Sequence, residues 1–382
     1  MGYNAGSIRE VDVIYLDNNA TTQVLPEVLR AMSSMLETEY GNPSSVYQHG
    51  NRSRVEMEKA RGILASELGC LPSEILFTGS GTESDNLALF GVLSQHFNAS
   101  KNVVISQIEH PAVANYGKWL ERFGIECREA PISIVDGKVD IQPFLDLIDE
   151  QTVLLSCMLA NNETGLVLPV KDLFEAAKLN GVLCHCDAVQ AFGKIPVNVK
   201  RLQCDLLSLS AHKIYGPKGV GALYLKRGTP FQAMLHGGSQ ENSRRPGTEN
   251  VAGVVGMACA VSNFDLDNTE VQRVRDYFES QLDQVFGQRI AIHHREMPRT
   301  PNTTSVGFHG KDGNVILIKL DQQGICVSTG SACHSGALST SSVLLRLGVE
   351  PSLAKGTLRF SFSRWSTCDD VDRVIQVLKD II

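Results

Sequence analysis

The sequence predicts an α/β fold with a mostly parallel sheet, accompanied by a second, smaller lobe. Three observations predict it. Short apolar runs alternate with helical patterns along most of the chain. Those runs are continuously apolar, as expected of strands covered on both faces. Near residue 262 the texture becomes charged and helical, and 382 residues suit two domains.

The elements follow in order. Glu74–Phe77 reads as a strand, Thr78–Glu83 as a turn and Ser84–Leu93 as a helix. Asn102–Ile105 opens the next unit, with Ala112–Phe123 as its helix. Val153–Met158 is an apolar strand, Asp172–Leu179 a helix and Val182–Cys186 a strand. Leu206–Leu209 and Val220–Leu225 close the series. Beyond it, Ser262–Phe286 is charged and helical in pattern, carrying Val271, Val274, Phe278 and Leu282 at helical spacing. Asn302–Phe308, a helix over Gly313–Leu320, a cysteine-bearing loop and a final helix over Asp369–Ile382 complete the smaller lobe.

Composition narrows the function. Charged residues are 20% and apolar residues 43%, which excludes a solvated, disordered chain. The net charge of −7 argues against a nucleic-acid binder. Ten cysteines without a C-x-x-C pair read as reduced thiols, hence a cytoplasmic location. Met1–Glu10 has no apolar core of a secretory signal, and Gly6 stands where a myristoylation site needs Ser or Thr. The longest apolar run, Val251–Val261, falls short of the ~20 residues that span a bilayer, so no membrane association is expected.

Four places carry chemistry. Thr78-Gly-Ser-Gly-Thr82 joins a strand end to a helix start, where backbone N–H groups and the helix N-terminus suit an anion such as phosphate. A plain strand-to-helix turn reads the same way. In Ser210-Ala-His-Lys213, a lysine after a strand is placed to be desolvated into a nucleophilic amine, with a Schiff base to a carbonyl cofactor as its use. The alternative is a solvated loop lysine, the reading given to Lys218. Asp187 follows an apolar strand, where α/β enzymes bind ligands. It suits a pyridinium N–H or a helix cap. Cys184, His185 and Cys186 invite a metal, but on a strand 184 and 186 face one side and 185 the other, so no metal site is expected. Finally, Cys333 lies in Ser328–Ser342, a run of small polar residues. Such a thiol is expected to be exposed and mobile, as a reactive thiol needs. An incidental loop cysteine is the alternative.

Together these motifs resemble the cysteine desulfurases of the class V aminotransferase-like group. Tyr15–Thr22, Asn42-Pro-Ser-Ser45, Thr82–Asn86, Glu109-His110-Pro111, Asn161–Gly165 and His185–Gln190 stand in family order. They are followed by Ser210–Lys213, Arg245–Glu249, Gly330–Cys333 and Leu358–Ser361. The resemblance implies a fold-type I pyridoxal-phosphate enzyme. Its large cofactor-binding domain, residues 16–261, has a mostly parallel seven-stranded sheet covered by helices. A small α+β domain, residues 1–15 and 262–382, carries the catalytic-cysteine loop.

The resemblance also implies residue roles. Lys213 bonds the pyridoxal 5'-phosphate aldehyde and later removes the α-proton. His110 stacks on the ring and shuttles protons, and Asp187 keeps the pyridine nitrogen protonated. Asn162 and Gln190 reach the phenolic oxygen, with Asn162 also near substrate. Thr82, Ser210 and His212 hold the phosphate, with Gly81 allowing close approach. Thr248 is supplied by the second subunit of a homodimer. Arg359 binds the carboxylate of L-cysteine in bidentate fashion. Cys333 takes the substrate sulfur as a persulfide and passes it to an acceptor such as an iron–sulfur scaffold. Alanine leaves. Selenocysteine lyase and cystine lyase are the alternatives on the same fold, the former suggested by His334 after the cysteine. Pro246 departs from the usual small residue, and the C-terminal tail of housekeeping members is expected to be absent.

Overall fold

The computed structural model describes residues 13–264, 266–329 and 340–382. The chain divides into two compact units. The larger holds Thr21–Asn162 and Leu166–Leu266; the smaller holds residues 13–20, Glu163–Gly165 and Asp267–Ile382.

A seven-stranded sheet forms the larger unit. Its strands run in the order Ile75–Thr78, Gly221–Leu225, Leu206–Ser210, Leu183–Asp187, Thr152–Ser156, Lys101–Ser106 and Ile125–Ala130. Gly221–Leu225 is antiparallel to both neighbours; the other pairs are parallel. Most strand residues are buried, which explains the continuous apolar runs. Leu76, Leu87, Val103, Ile105, Leu154 and Leu206 belong to one core beneath the helix Gly81–Leu93. The edge strand Ile125–Ala130 was not read from the sequence. Its interior carries Glu126, Cys127, Arg128 and Glu129, so it lacks an apolar run.

Two helices precede the first strand of this sheet, Pro26–Glu37 and Gln48–Leu68. Both pack against Val251–Asn263. The small residues of that helix permit close approach: a Cβ at Gly256 would stand 2.8 Å from Met32 Cγ. The sequence boundary at 261/262 falls inside this helix.

The helical stretch Ser262–Phe286 holds the end of one helix and the whole of the next. Val251–Asn263 ends at Phe264, whose backbone is extended (φ −82°, ψ 144°), and Thr269–Phe286 begins after Asn268. The connection is rich in Asp and Asn, whose side chains compete for the backbone and favour helix ends.

The smaller unit is α+β. Ile290–Ile292, Thr303–Phe308 and Thr357–Ser361 form an antiparallel sheet, and Ile14–Tyr15 pairs in parallel with Ile325–Cys326. The helix Cys368–Ile381 starts at a capping box between Thr367 and Asp370. It buries Val371, Val374, Ile375 and Leu378 at helical spacing. They join Phe278 and Phe360, whose rings are 4.7 Å apart, in one core. Truncating Phe278 to Ala costs about 3–5 kcal/mol by lost burial and cavity formation.

Candidate active site

Five of the six parallel strands, those ending at Thr78, Ser106, Ser156, Asp187 and Ser210, finish at one edge of the sheet beside the sixth. Parallel sheets bind ligands beyond such carboxyl ends. The predicted residues Gly81, Thr82, His110, Asn162, Asp187, Gln190, Ser210, His212 and Lys213 all lie on segments leaving this edge.

Lys213 ends a single 3₁₀ turn, Ala211–Lys213, directly after the strand. It is half-buried. Its charge acts on His110, His212 and Asp187, which locates the four groups together. Burial first, and then Lys213, hold the His110 imidazole down at about 4. His110 Nδ1 accepts from Ala112 N at 3.1 Å as the cap of the helix Pro111–Leu120. A neutral His110 therefore carries its proton on Nε2. His212 is likewise lowered to about 4, by burial and then Lys213.

Asp187 is the last residue of the central strand rather than the residue after it. Its Oδ1 accepts from Val189 N at 2.9 Å. Burial raises its pKa, so the ionised form gains from a cationic partner. Gln190 Oε1 accepts from Lys194 Nζ at 2.7 Å, which fixes the amide orientation. Asn162 is half-buried, and its neighbour Asn161 donates from Nδ2 to Ile108 O at 3.2 Å.

The expected phosphate cradle has three parts. Ser80 caps the helix Gly81–Leu93 by accepting from Glu83 N at 3.1 Å, leaving Gly81 and exposed Thr82 in the first turn. A Cβ on Gly81 would stand 2.9 Å from Val189 Cγ2 and 3.3 Å from Ser210 Cβ. Only glycine lets the helix start approach so closely. Ser210 Oγ is buried with no hydrogen-bond partner among the described residues. An orphaned hydroxyl beside a helix N-terminus, with Asp187 at the end of the central strand, fits a pyridine ring bearing a phosphate.

Behind Asp187 lies a polar layer that sequence reasoning did not assign. His185, on the same strand face, is neutral because burial lowers it to about 3. Its ring nitrogens meet Ser156 Oγ at 2.8 Å and Ser208 Oγ at 3.0 Å, which leaves neither for a metal. Among the described residues no group of three or more His, Cys, Asp or Glu suits a metal ion. Asp85 and Glu109 are buried too, and the Asp187 charge acts on both. Burial pushes Glu109 up to about 8. Its Oε1 accepts from Ser106 Oγ at 2.8 Å and from Met158 N at 2.7 Å. The signal in the sequence was polar residues inside apolar runs, which need partners when buried.

Thr248 is exposed in the larger unit. Its segment is tied to the turn Thr78–Thr82 of its own chain: Arg245 Nε donates to Glu83 Oε1 at 2.7 Å, and Glu83 Oε2 accepts from Gly79 N at 2.8 Å. Arg359 belongs to the smaller unit, buried in the strand Thr357–Ser361 and paired with Asp17. Cys333 and His334 lie outside the described residues. Of the other thiols, Cys157, Cys184, Cys186 and Cys204 are buried and burial pushes all four up; Cys326 is half-buried and also raised.

Known proteins define the class. Residues 14–374 match the family described as Aminotransferase class-V. The chain belongs to this pyridoxal-phosphate-dependent family and, within it, to the cysteine desulfurases. It is 42% identical to cysteine desulfurase IscS of Dictyoglomus turgidum, over 97% of this chain and 94% of the relative. A solved NifS-like protein superposes with a TM-score of 0.88 at 36% identity, covering 97% of this chain and 99% of that one. A structure of SspA in complex with cysteine matches with a TM-score of 0.83 at 30% identity, covering 93% of this chain and 100% of that one. Among the described residues no helix is long and apolar enough to cross a membrane.

Proposed function

We infer that this chain is a pyridoxal-phosphate-dependent cysteine desulfurase that converts L-cysteine to L-alanine and loads the released sulfur onto Cys333. The observation that carries this reading is the grouping of Lys213, His110, His212 and Asp187 at one sheet edge beside the orphaned Ser210 hydroxyl.

Pyridoxal phosphate, when bound, supplies a sink for the electrons of the substrate Cα–H bond. Lys213 would hold the cofactor through its ε-amine and would take the proton from Cα. Asp187 would keep a proton on the pyridine nitrogen, and neutral His110 would stack on the ring and relay protons through Nε2. Thr82, Ser210, His212 and the backbone beside Gly81 hold the phosphate. Thr248 does so for the second subunit of a homodimer. Gln190 and Asn162 hydrogen-bond the phenolic oxygen, and Arg359 grips the substrate carboxylate.

The Cys333 thiolate then attacks the substrate sulfur. An S–S bond forms, the Cβ–S bond breaks, and Cβ gains a proton. The two sulfurs are oxidised as the carbon is reduced, so cysteine plus the Cys333 thiol becomes alanine plus the Cys333 persulfide. The outer sulfur passes to an acceptor protein such as an iron–sulfur scaffold, in the cytoplasm.

The test measures alanine release from cysteine and mass-maps the enzyme after brief exposure to it. A labile extra sulfur is expected on the Cys333 peptide. Cys333→Ser is expected to abolish desulfuration while the yellow cofactor colour persists. Sulfur on another peptide, or near wild-type turnover by Cys333→Ser, overturns the persulfide route.

A further inference from the structure

The stretch of chain that carries Cys333 is held at both flanks inside the smaller unit. On the N-terminal side, Arg359 N donates to Ser328 O at 2.7 Å and Ser328 N donates to Arg359 O at 3.2 Å. On the C-terminal side, Ser341 Oγ donates to Glu163 Oε2 at 2.5 Å. The same oxygen accepts from Leu344 N at 3.2 Å, capping the helix Ser342–Arg346. Glu163 and Ser341 are 7% and 6% exposed, so neither group has water to replace a lost partner. The Arg359 charge acts on the Glu163 carboxyl, opposing the burial that raises it to about 7. The N-terminal flank therefore pairs with the Arg359 backbone, and the C-terminal flank is held by a carboxyl that feels the Arg359 charge.

We propose that Glu163 is a positioning residue for sulfur transfer: through Ser341 it fixes the C-terminal end of the segment bearing Cys333, next to the arginine that grips the substrate carboxylate. This rests on the reading that Cys333 carries the sulfur. Two fixed ends near one residue confine the thiol and raise its effective concentration at the substrate. Losing the Ser341 pin lengthens the chain between fixed points, and effective concentration falls with that length. Nothing in this role touches the cofactor or the substrate, so binding of either is expected to survive.

The experiment uses holoenzyme in a single turnover with cysteine. Persulfide on the Cys333 peptide is quantified after rapid quenching. In parallel, the cysteine-induced change in cofactor absorbance gives the substrate Kd. Glu163→Ala and Ser341→Ala are expected to slow persulfide formation by about tenfold or more while Kd stays within about twofold. Glu163→Gln keeps an acceptor, and Ser341→Thr keeps both hydroxyl and cap; each is expected within about threefold of wild type. Should Glu163→Ala fail to fold, the two Ser341 variants decide. Wild-type rates in the truncated variants overturn the inference alone. So does a loss of cysteine affinity in step with the rate, which would place Glu163 in substrate binding. Sulfur missing from the wild-type Cys333 peptide overturns the activity reading, and this inference with it.

Discussion

Arg359 and Asp17 form an ion pair across the smaller unit, with Nη2 2.6 Å from Oδ1 and side chains only 6% and 19% exposed. The pair joins residues at opposite ends of the chain. Asp17 also lies beside the strand Thr357–Ser361 through a bridge to Ser361. A carboxylate on one edge of a guanidinium fixes its plane, as the bidentate grip proposed for Arg359 on the substrate carboxylate requires.

Asp17→Asn is therefore expected to raise the KM for cysteine by about tenfold with a smaller change in kcat. Arg359→Lys removes the planar fork and is expected to lower kcat/KM by about a hundredfold, or about 2.7 kcal/mol. Steady-state kinetics read both. An unchanged or lower KM in Asp17→Asn shows that Asp17 competes with substrate instead of orienting Arg359.

Glu109 makes stability depend on pH. Its folded pKa of about 8 lies above the ordinary carboxyl value near 4.5. Between these values the folded state keeps a proton that the unfolded state releases, so this contribution to stability is lost as pH rises toward 8. Glu109→Gln keeps the amide-oxygen acceptor for Met158 N and removes the titration. Relative to wild type it is expected to gain stability from pH 5 to pH 8, by an amount on the order of a few kcal/mol. Denaturant melts of the cofactor-free proteins at the two pH values measure it. A difference between variant and wild type that does not change with pH contradicts the assignment.

Asp187→Ala removes the counter-charge proposed for the pyridine nitrogen. It is expected to weaken cofactor retention and cut α-proton exchange of bound alanine by on the order of a hundredfold or more. Dialysis against cofactor-free buffer and deuterium incorporation at Cα measure these two effects. Full exchange in Asp187→Ala removes Asp187 from the site.

The buried pair of Arg61 with Glu241 supports the strand Ile75–Thr78, which leads into the helix Gly81–Leu93. Arg61 donates from Nη1 and Nη2 to the two carboxylate oxygens, each at 2.7 Å, and Glu241 Oε2 also accepts from Phe77 N at 3.1 Å. Arg61→Ala strands a buried carboxylate and is expected to cost about 3–5 kcal/mol in denaturant melts. A cost below about 1 kcal/mol shows that water reaches Glu241.

A homodimer with shared sites predicts complementation. Lys213→Ala and Thr248→Ala subunits, each inactive alone, are expected to regain activity when mixed and allowed to exchange, because one site per mixed dimer keeps both wild-type residues. Activity of an enzyme that light scattering shows to be monomeric contradicts this arrangement.

The sequence by itself determined what is local. Leu183–Asp187 and Leu206–Ser210 are legible because a strand buried on both faces must be apolar throughout. The places of Asp187 and Lys213 at the sheet edge are legible because Asp187 ends one such run and Lys213 follows the other by three residues. Long-range pairing was decided only by the tertiary structure. No spacing rule brings Glu163 to Ser341, Asp17 to Arg359 or Glu109 to Met158 N, because each pair meets only after strands from distant segments have aligned. The break inside the helical stretch Ser262–Phe286 was not legible for a related reason. Periodicity reports which face an element buries, whereas the break near Phe264 depends on Val251–Asn263 packing in one unit and Thr269–Phe286 in the other. The protonation of Glu109 and Glu163 was likewise decided by folding, since each carboxyl has its ordinary pKa until burial removes the water that stabilises its charge.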